Sequence, residues 1–245
     1  MLSLPLPEYI RDAAYEGDLF TIRAYFENDN DGERDVDSGI DTPLMWSAQG
    51  GEGDRLTLEH VEVARYLLSR GASINIADES GYTALLIACY CGRGTVTEMV
   101  ELLLSAGANP NARNSRGRTP LCAHMRFCEN PRVECFTALL RAGASLDRVF
   151  KDSPLEAQHR YTEMPAAIKS LVAGVRRAGS FKRYVREPHR EFLALRGLAM
   201  RGHLAPMGTR RTRGAQKWKA AVAFLARHGD NGVVWNILSF WRATK

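Results

Sequence analysis

The chain has 245 residues, 45% of them hydrophobic and 25% charged, with a net charge of +5 at pH 7. Those fractions exclude a disordered or collagen-like chain, and no stretch reaches the roughly 18 to 20 apolar residues that a bilayer crossing needs. Residues 1–59 carry 4 basic and 14 acidic side chains, residues 60–150 carry 10 and 8, and residues 151–245 carry 19 and 6. The sequence therefore has an acidic front and a basic tail, a field that governs what the molecule meets more than how it folds.

The opening residues Met1 to Tyr9 have no basic start and no unbroken apolar core of seven, so no secretory signal is expected. Cys89, Cys91, Cys122, Cys128 and Cys135 are odd in number, sit in apolar helical text and form no paired framework, which fits a reducing compartment, the cytoplasm or nucleus. Residues 8–36 contain Ala13-Ala14-Tyr15-Glu16-Gly17-Asp18-Leu19, which predicts a first, capping helix pair.

From there the chain repeats. Gly71, Gly107, Gly143 and Gly179 are each 36 residues apart. Leu67-Leu68, Leu103-Leu104 and Leu139-Leu140 precede the first three, and an alanine follows each; the fourth copy is degraded to Val175-Arg176 and Gly179-Ser180. In the same register Val63, Met99, Cys135 and Leu171, with Ala64, Val100, Phe136 and Val172 beside them, predict one recurring buried helix face. Thr42-Pro43, Thr119-Pro120 and Ser153-Pro154 each place a hydroxyl at a helix N-cap and a proline at the first helical position, while Thr83-Ala84 keeps the cap without the proline. Each glycine reads as a helix stop. A unit is therefore helix, turn, helix, stop and a short polar extended segment, and only stacked copies can bury the apolar face.

The text resembles the ankyrin repeat. Asp78-Glu79-Ser80-Gly81-Tyr82-Thr83-Ala84-Leu85 with Gly107-Ala108-Asn109-Pro110-Asn111-Ala112 is the closest copy, and Asn114-Ser115-Arg116-Gly117-Arg118-Thr119-Pro120-Leu121 opens the next. The resemblance is clear over 37–150, weaker over 8–36 and degenerate over 151–186. It implies an all-α solenoid of about five helix-turn-helix units with short β-hairpin fingers, occupying residues 1–186. The histidine the family carries after Pro-Leu is replaced by Met45, Leu86, Cys122 and Glu156. Thr83 to Gly107 and Thr119 to Gly143 each span 24 residues, about three more than the family pattern. The second unit is longer still, and its surplus, Gly50 to Thr57, is expected to be a loop between its two helices.

Residues 187–245 leave the pattern. Phe192, Leu195, Leu198 and Ala199, then Trp218, Ala221, Val222 and Leu225, then Val234, Ile237, Leu238 and Trp241 predict three amphipathic helices. They suit a cap on the open end of the stack or a docking module. The run from Phe192 to Leu204 resembles the first helix of the box that joins some ankyrin proteins to ubiquitin-ligase scaffolds, without its usual cysteine or a following Leu-Pro-Leu-Pro-like segment.

The resemblance implies partner contacts from the fingers and inner helices: Ser38, Asp41 and Gln49; Glu79, Ser80, Tyr82, Tyr90 and Cys91; Ser115, Arg116, Arg118, Arg126 and Phe127; Val149, Phe150 and Asp152. Tyrosine, phenylalanine and arginine are the types that carry interface energy. The reading is a non-catalytic protein-interaction scaffold, monomeric and without a cofactor. Arg210, Arg211, Arg213, Lys217, Trp218 and Lys219 offer the rival, binding of nucleic acid or an anionic surface. Cys89, Cys91, Cys122, His124 and Cys128 lack the paired spacing of a zinc site. No Ser-His-acid arrangement, phosphate loop or H-E-x-x-H occurs, so an enzyme is not expected.

Overall fold

The structure, a computed structural model, describes residues 6–28, 35–38, 41–51, 55–91, 93–128, 131–147, 150 and 153–186. In chain order the helices are α1 (Glu8–Glu16), α2 (Leu19–Glu27), α3 (Pro43–Gln49), α4 (Leu58–Ser69), α5 (Ala84–Cys91), α6 (Val96–Ser105), α7 (Pro120–Phe127), α8 (Val133–Arg141) and α9 (Ala166–Ala178). Two 3-10 turns, Leu155–Ala157 and His159–Glu163, precede α9. The chain divides after Phe181 into two compact units. The first holds all of these elements; of the second only residues 182–186 are described, so the three helices expected within 187–245 lie outside the described residues.

Helices pack pairwise within each repeat, α1 on α2, α3 on α4, α5 on α6 and α7 on α8, and each pair stacks on the next. The inner row runs α1, α3, α5, α7 and the second 3-10 turn, and the outer row runs α2, α4, α6, α8, α9. The recurring face predicted from the 36-residue period is the core of the outer row. Val63, Met99 and Cys135 are fully buried, as are Ala64, Val100 and Phe136, and the degenerate copy keeps Leu171 at 8% exposure and Val172 at 1%.

The caps work as the residue types require. Thr42, Thr83 and Thr119 each accept, on Oγ1, the amide three residues on, from Met45, Leu86 and Cys122 at 3.4 Å. Pro43 and Pro120 fill first-turn positions whose N–H would have no partner. The fifth unit departs from expectation. Ser153-Pro154 opens onto a 3-10 turn with no side-chain cap rather than onto an α-helix; glutamate follows at Glu156 where the other units continue apolar.

The glycine stops are the fixed points of the stack. Gly71, Gly107 and Gly143 have φ of 92°, 93° and 95°. An added Cβ would meet nothing within 4 Å at any of them, so the requirement is backbone conformation and not space. The turn lets the N–H of Ala72, Ala108 and Ala144 reach back to Leu67, Leu103 and Leu139 at 3.1, 3.0 and 2.9 Å. An asparagine of the preceding finger then grips the second and third of these turns from outside. Asn75 donates to the Gly107 carbonyl at 3.3 Å and accepts the Asn109 amide at 2.8 Å; Asn111 does the same to Gly143 and Ser145 at 3.0 and 2.8 Å. At the front of the stack Asp37 accepts the Ser73 amide on both carboxylate oxygens, at 2.9 and 3.0 Å. At the back, Arg176 of α9 binds Asp147, Glu156 and the Leu146 carbonyl.

The surplus residues between inner and outer helices are not all loop, contrary to expectation. Arg55–Leu56 (β1) pairs in parallel with Arg93–Gly94 (β2), so the insertions of units two and three make a short ladder. Gly94 is forced there by close approach: its φ is +77° and a Cβ would stand 1.9 Å from the Leu56 carbonyl oxygen.

Two buried histidines make polar links inside the stack. His60 Nδ1 takes the Thr57 amide at 3.3 Å and its hydroxyl at 2.8 Å, and Nε2 meets the Tyr15 carbonyl at 2.8 Å. A carbonyl only accepts, so Nε2 carries the proton and unit two is tied to unit one. His124 Nε2 accepts the Arg132 amide at 3.1 Å, while its Nδ1 is buried without a partner. Burial holds the His124 ring neutral and lowers its pKa to about 4.

Two outcomes follow for stability. Asn111→Ala removes two exposed hydrogen bonds and should lower stability by about 1–2 kcal/mol, a Tm loss of roughly 3–6 °C. Asn111→Asp keeps the acceptor, loses the donor and should fall between, as thermal denaturation followed by circular dichroism would show. For His124 the folded pKa lies below the unfolded value of about 6.5, so its contribution is whole above pH 6.5 and is lost as the pH falls to 4, by up to about 3 kcal/mol. Urea midpoints measured across that window should drop more steeply for the native chain than for His124→Asn.

Candidate functional site

The fingers are built by short-range hydrogen bonds that present their tips to solvent. Asp78 Oδ1 accepts the Tyr82 amide at 2.7 Å, and Asn114 Oδ1 accepts those of Arg116 and Arg118 at 3.1 and 3.0 Å. Such side-chain turns are the reason Asp and Asn stand at these positions. Neighbouring fingers also join directly, with the Ser115 amide on the Ser80 carbonyl at 2.8 Å.

This places an aromatic and cationic cluster on the inner face of units three to five. Tyr82 and Tyr90 meet edge to face with centroids 6.1 Å apart, and Tyr90 lies 4.2 Å from Phe127 in a tilted stack. The Arg118 guanidinium stands 4.9 Å above Phe127 and 5.9 Å from Phe150, and that of Arg126 lies 5.9 Å from Phe127. Arg160 donates to the Arg126 carbonyl from the fifth unit. Tyr82, Tyr90, Arg118, Arg126, Phe127 and Phe150, from three successive units, thus form one continuous surface, and cation–π contact holds the charges over the rings.

The remaining expected positions divide by exposure. Asp41, Glu79, Ser80, Ser115, Arg116 and Arg126 are exposed and Gln49 is half-buried. Tyr90, 37% exposed, is the most accessible large ring of the cluster. Ser38 is 4% exposed, so its side chain is packed rather than presented on the finger's surface as expected. Cys91 is the last residue of α5. Val149 and Asp152 lie outside the described residues.

Sequence reasoning missed the front of the same face. Trp46 packs edge to face on Tyr15 at 6.2 Å, with the Arg11 guanidinium 5.5 Å from its ring, and its indole N–H is buried without a hydrogen-bond partner. The available signal was register, since Trp46 occupies the helix position of Ile87 and Ala123, which are core-like and drew no attention to it. Burial first, then the charges of Asp78 and Glu79, raise the pKa of Asp41, so these three carboxylates form one electrostatic neighbourhood.

Cys122 and Cys135 have thiols pushed up by burial, Cys135 to about 11, which removes them as nucleophiles at neutral pH. Among the described residues no group of three or more His, Cys, Asp or Glu could hold a metal ion, and no helix is long and apolar enough to cross a membrane.

Comparison with known proteins agrees with the architecture. The profile of ankyrin repeats in three copies matches residues 10–114 and 58–150, more than half of the chain. Mouse ankyrin repeat and SOCS box protein 16 is 35% identical over 127 residues, covering 50% of this chain and 27% of that protein. Its human counterpart is 36% identical over 108 residues, 42% of this chain and 23% of that protein. The fruit-fly ankyrin repeat and KH domain-containing protein mask is 42% identical over 82 residues, 33% of this chain and 2% of that protein. The chain thus spans about a quarter or less of the length of these relatives, and the similarity is one of repeats. With a 36-residue period, paired helices, stop glycines and fingers all in place, the chain belongs to the ankyrin-repeat family.

Proposed function

We propose that this chain is a non-catalytic recognition scaffold that holds a protein partner on its inner face. The observation that carries the reading is the joined cluster of Tyr82, Tyr90, Phe127, Arg118 and Arg126, drawn from two units and left accessible. Aromatic and arginine anchors surrounded by polar rim residues are what concentrate binding energy, and a standard interface of about 800 Å² per partner needs roughly 20–30 residues, within reach of three or four units. Ankyrin repeats are protein-interaction modules, which supports the same reading.

A second reading, an adaptor that brings the captured protein to a ubiquitin ligase, is favoured by two relatives whose names carry a SOCS box beside ankyrin repeats. The segment that would serve it, Phe192 to Leu204, lies outside the described residues, as does the basic run from Arg210 to Lys219 behind the nucleic-acid reading.

Replacing Tyr82, Tyr90 and Phe127 together with alanine should abolish retention of the proteins that the full chain captures from cell extract, with a loss of at least about tenfold, and leave helicity unchanged. Glu62→Ala with Glu101→Ala, on the outer helices, should change neither. Capture that survives the triple substitution would move the site off the inner face. Co-purification of a ligase scaffold, lost on Leu195→Arg with Leu198→Arg, would establish the adaptor. Fluorescent RNA and DNA should give flat titrations even at low salt.

A further inference from the structure

Two guanidinium groups share one ring on the inner face. Arg118 stands 4.9 Å and Arg126 5.9 Å from the centre of Phe127, so their charges lie within about 11 Å of each other. Arg118 also lies 5.9 Å from Phe150. A guanidinium stacked on a ring uses its face there and keeps its N–H groups in its own plane, still to be bonded. The Arg118 Nε is buried without a hydrogen-bond partner, and neither of its Nη groups bonds to a described residue. Neither arginine pairs with a described carboxylate. Arg160 differs, since it donates to the Arg126 carbonyl and meets Glu163 at 3.7 Å. Arg116 differs too, because the bond from the Ser115 amide to the Ser80 carbonyl sets its finger beside the one that bears Asp78 and Glu79. Next to the two unpaired charges, Tyr90 leaves 37% of its surface open.

We infer that the occupant of this face is a short acidic segment of a partner protein, with one carboxylate on the Nη pair of Arg118, a second on Arg126 and an apolar side chain against Tyr90. This rests on the proposed recognition role and names the chemistry of its ligand. A carboxylate matches the planar fork of a guanidinium, and a fork already partly dried by rings has less water to give up on binding. Alternate side chains of an extended segment point the same way and stand roughly 6.6 Å apart, a spacing that flexible acidic side chains adapt to the two arginines. The two acidic residues are therefore separated by one residue. A nucleic-acid strand offers negative charge and rings of its own, but its phosphates recur at every nucleotide and run on past Asp78 and Glu79 of the adjoining finger. A segment with two carboxylates needs only the two arginines.

The test is selection of random 12-residue peptides, displayed on phage, against the full chain. The enriched peptides should carry two acidic residues separated by one position and flanked by an apolar one, with lysine and arginine depleted. As synthetic probes they should bind about tenfold more weakly to Arg118→Glu with Arg126→Glu, and no more than about twofold more weakly to Arg116→Ala. A probe with both acidic residues changed to lysine should regain affinity for the doubly reversed variant, a rescue that damaged folding would not give. A tenfold loss with Arg116→Ala as well would spread the attraction over the whole basic face and overturn the inference. Enriched peptides that depend on Tyr90 and Phe127 but carry no acidic pair would overturn it and leave the recognition site standing. Peptides indifferent to Tyr90→Ala with Phe127→Ala would overturn both. Failure to enrich any peptide, or displacement of the peptides by a single-stranded RNA 12-mer at equal concentration, would also reject the acidic segment.

Discussion

One side-chain amide, placed to give and take a hydrogen bond at the same time, sets the geometry of this molecule. A left-handed glycine ends α6 and α8 and leaves a carbonyl and an amide facing out, two residues apart. Asn75 and Asn111 close on those two groups from the previous finger, their carboxamides offering a donor and an acceptor on two separate atoms. The grip fixes the rotation of each unit on the last. Because it repeats every 36 residues, the fingers fall in register, and only then do Tyr90 of one unit and Phe127 of the next arrive within ring contact.

The site is thus a product of stacking and not of any one segment. Tyr82, Tyr90, Arg118 and Phe127 are ordinary surface residues within their own units. What joins them into one surface is the stacking of units, which brings the rings and guanidinium groups over one another. The buried thiols and the neutral His124 lie behind this face and support it by packing; the Arg132 amide on His124 secures the connection that follows α7.

Most of the fold was legible because its signals were local and periodic. The stop glycines, the threonine caps and the eight outer-helix core positions are fixed by conformation and hydrophobicity, which a sequence displays directly. The joined cluster was legible for the same reason, since equal positions in successive units must adjoin. The misses are of two kinds. Ser38 was assigned by register alone, and register does not report how much of a side chain its surroundings cover. Trp46 and the pairing of β1 with β2 depend on contacts between units at positions the repeat does not prescribe, the latter through backbone groups that leave only Gly94 as a trace. The fifth unit kept Ser153-Pro154 but lost the helix, because a cap without the apolar turn behind it has nothing to hold.

The turn of unit two and the fifth unit are fastened by different means from the turns between them. Asp37 at the front and the Arg176 bridge to Asp147 and Glu156 at the back rely on ionised groups near water, whereas Asn75 and Asn111 are neutral. Dissolved ions shield the first kind of fastening and barely touch the second. In concentrated electrolyte the array therefore loosens first at its fifth unit, and the central units that bear the rings are the last to let go.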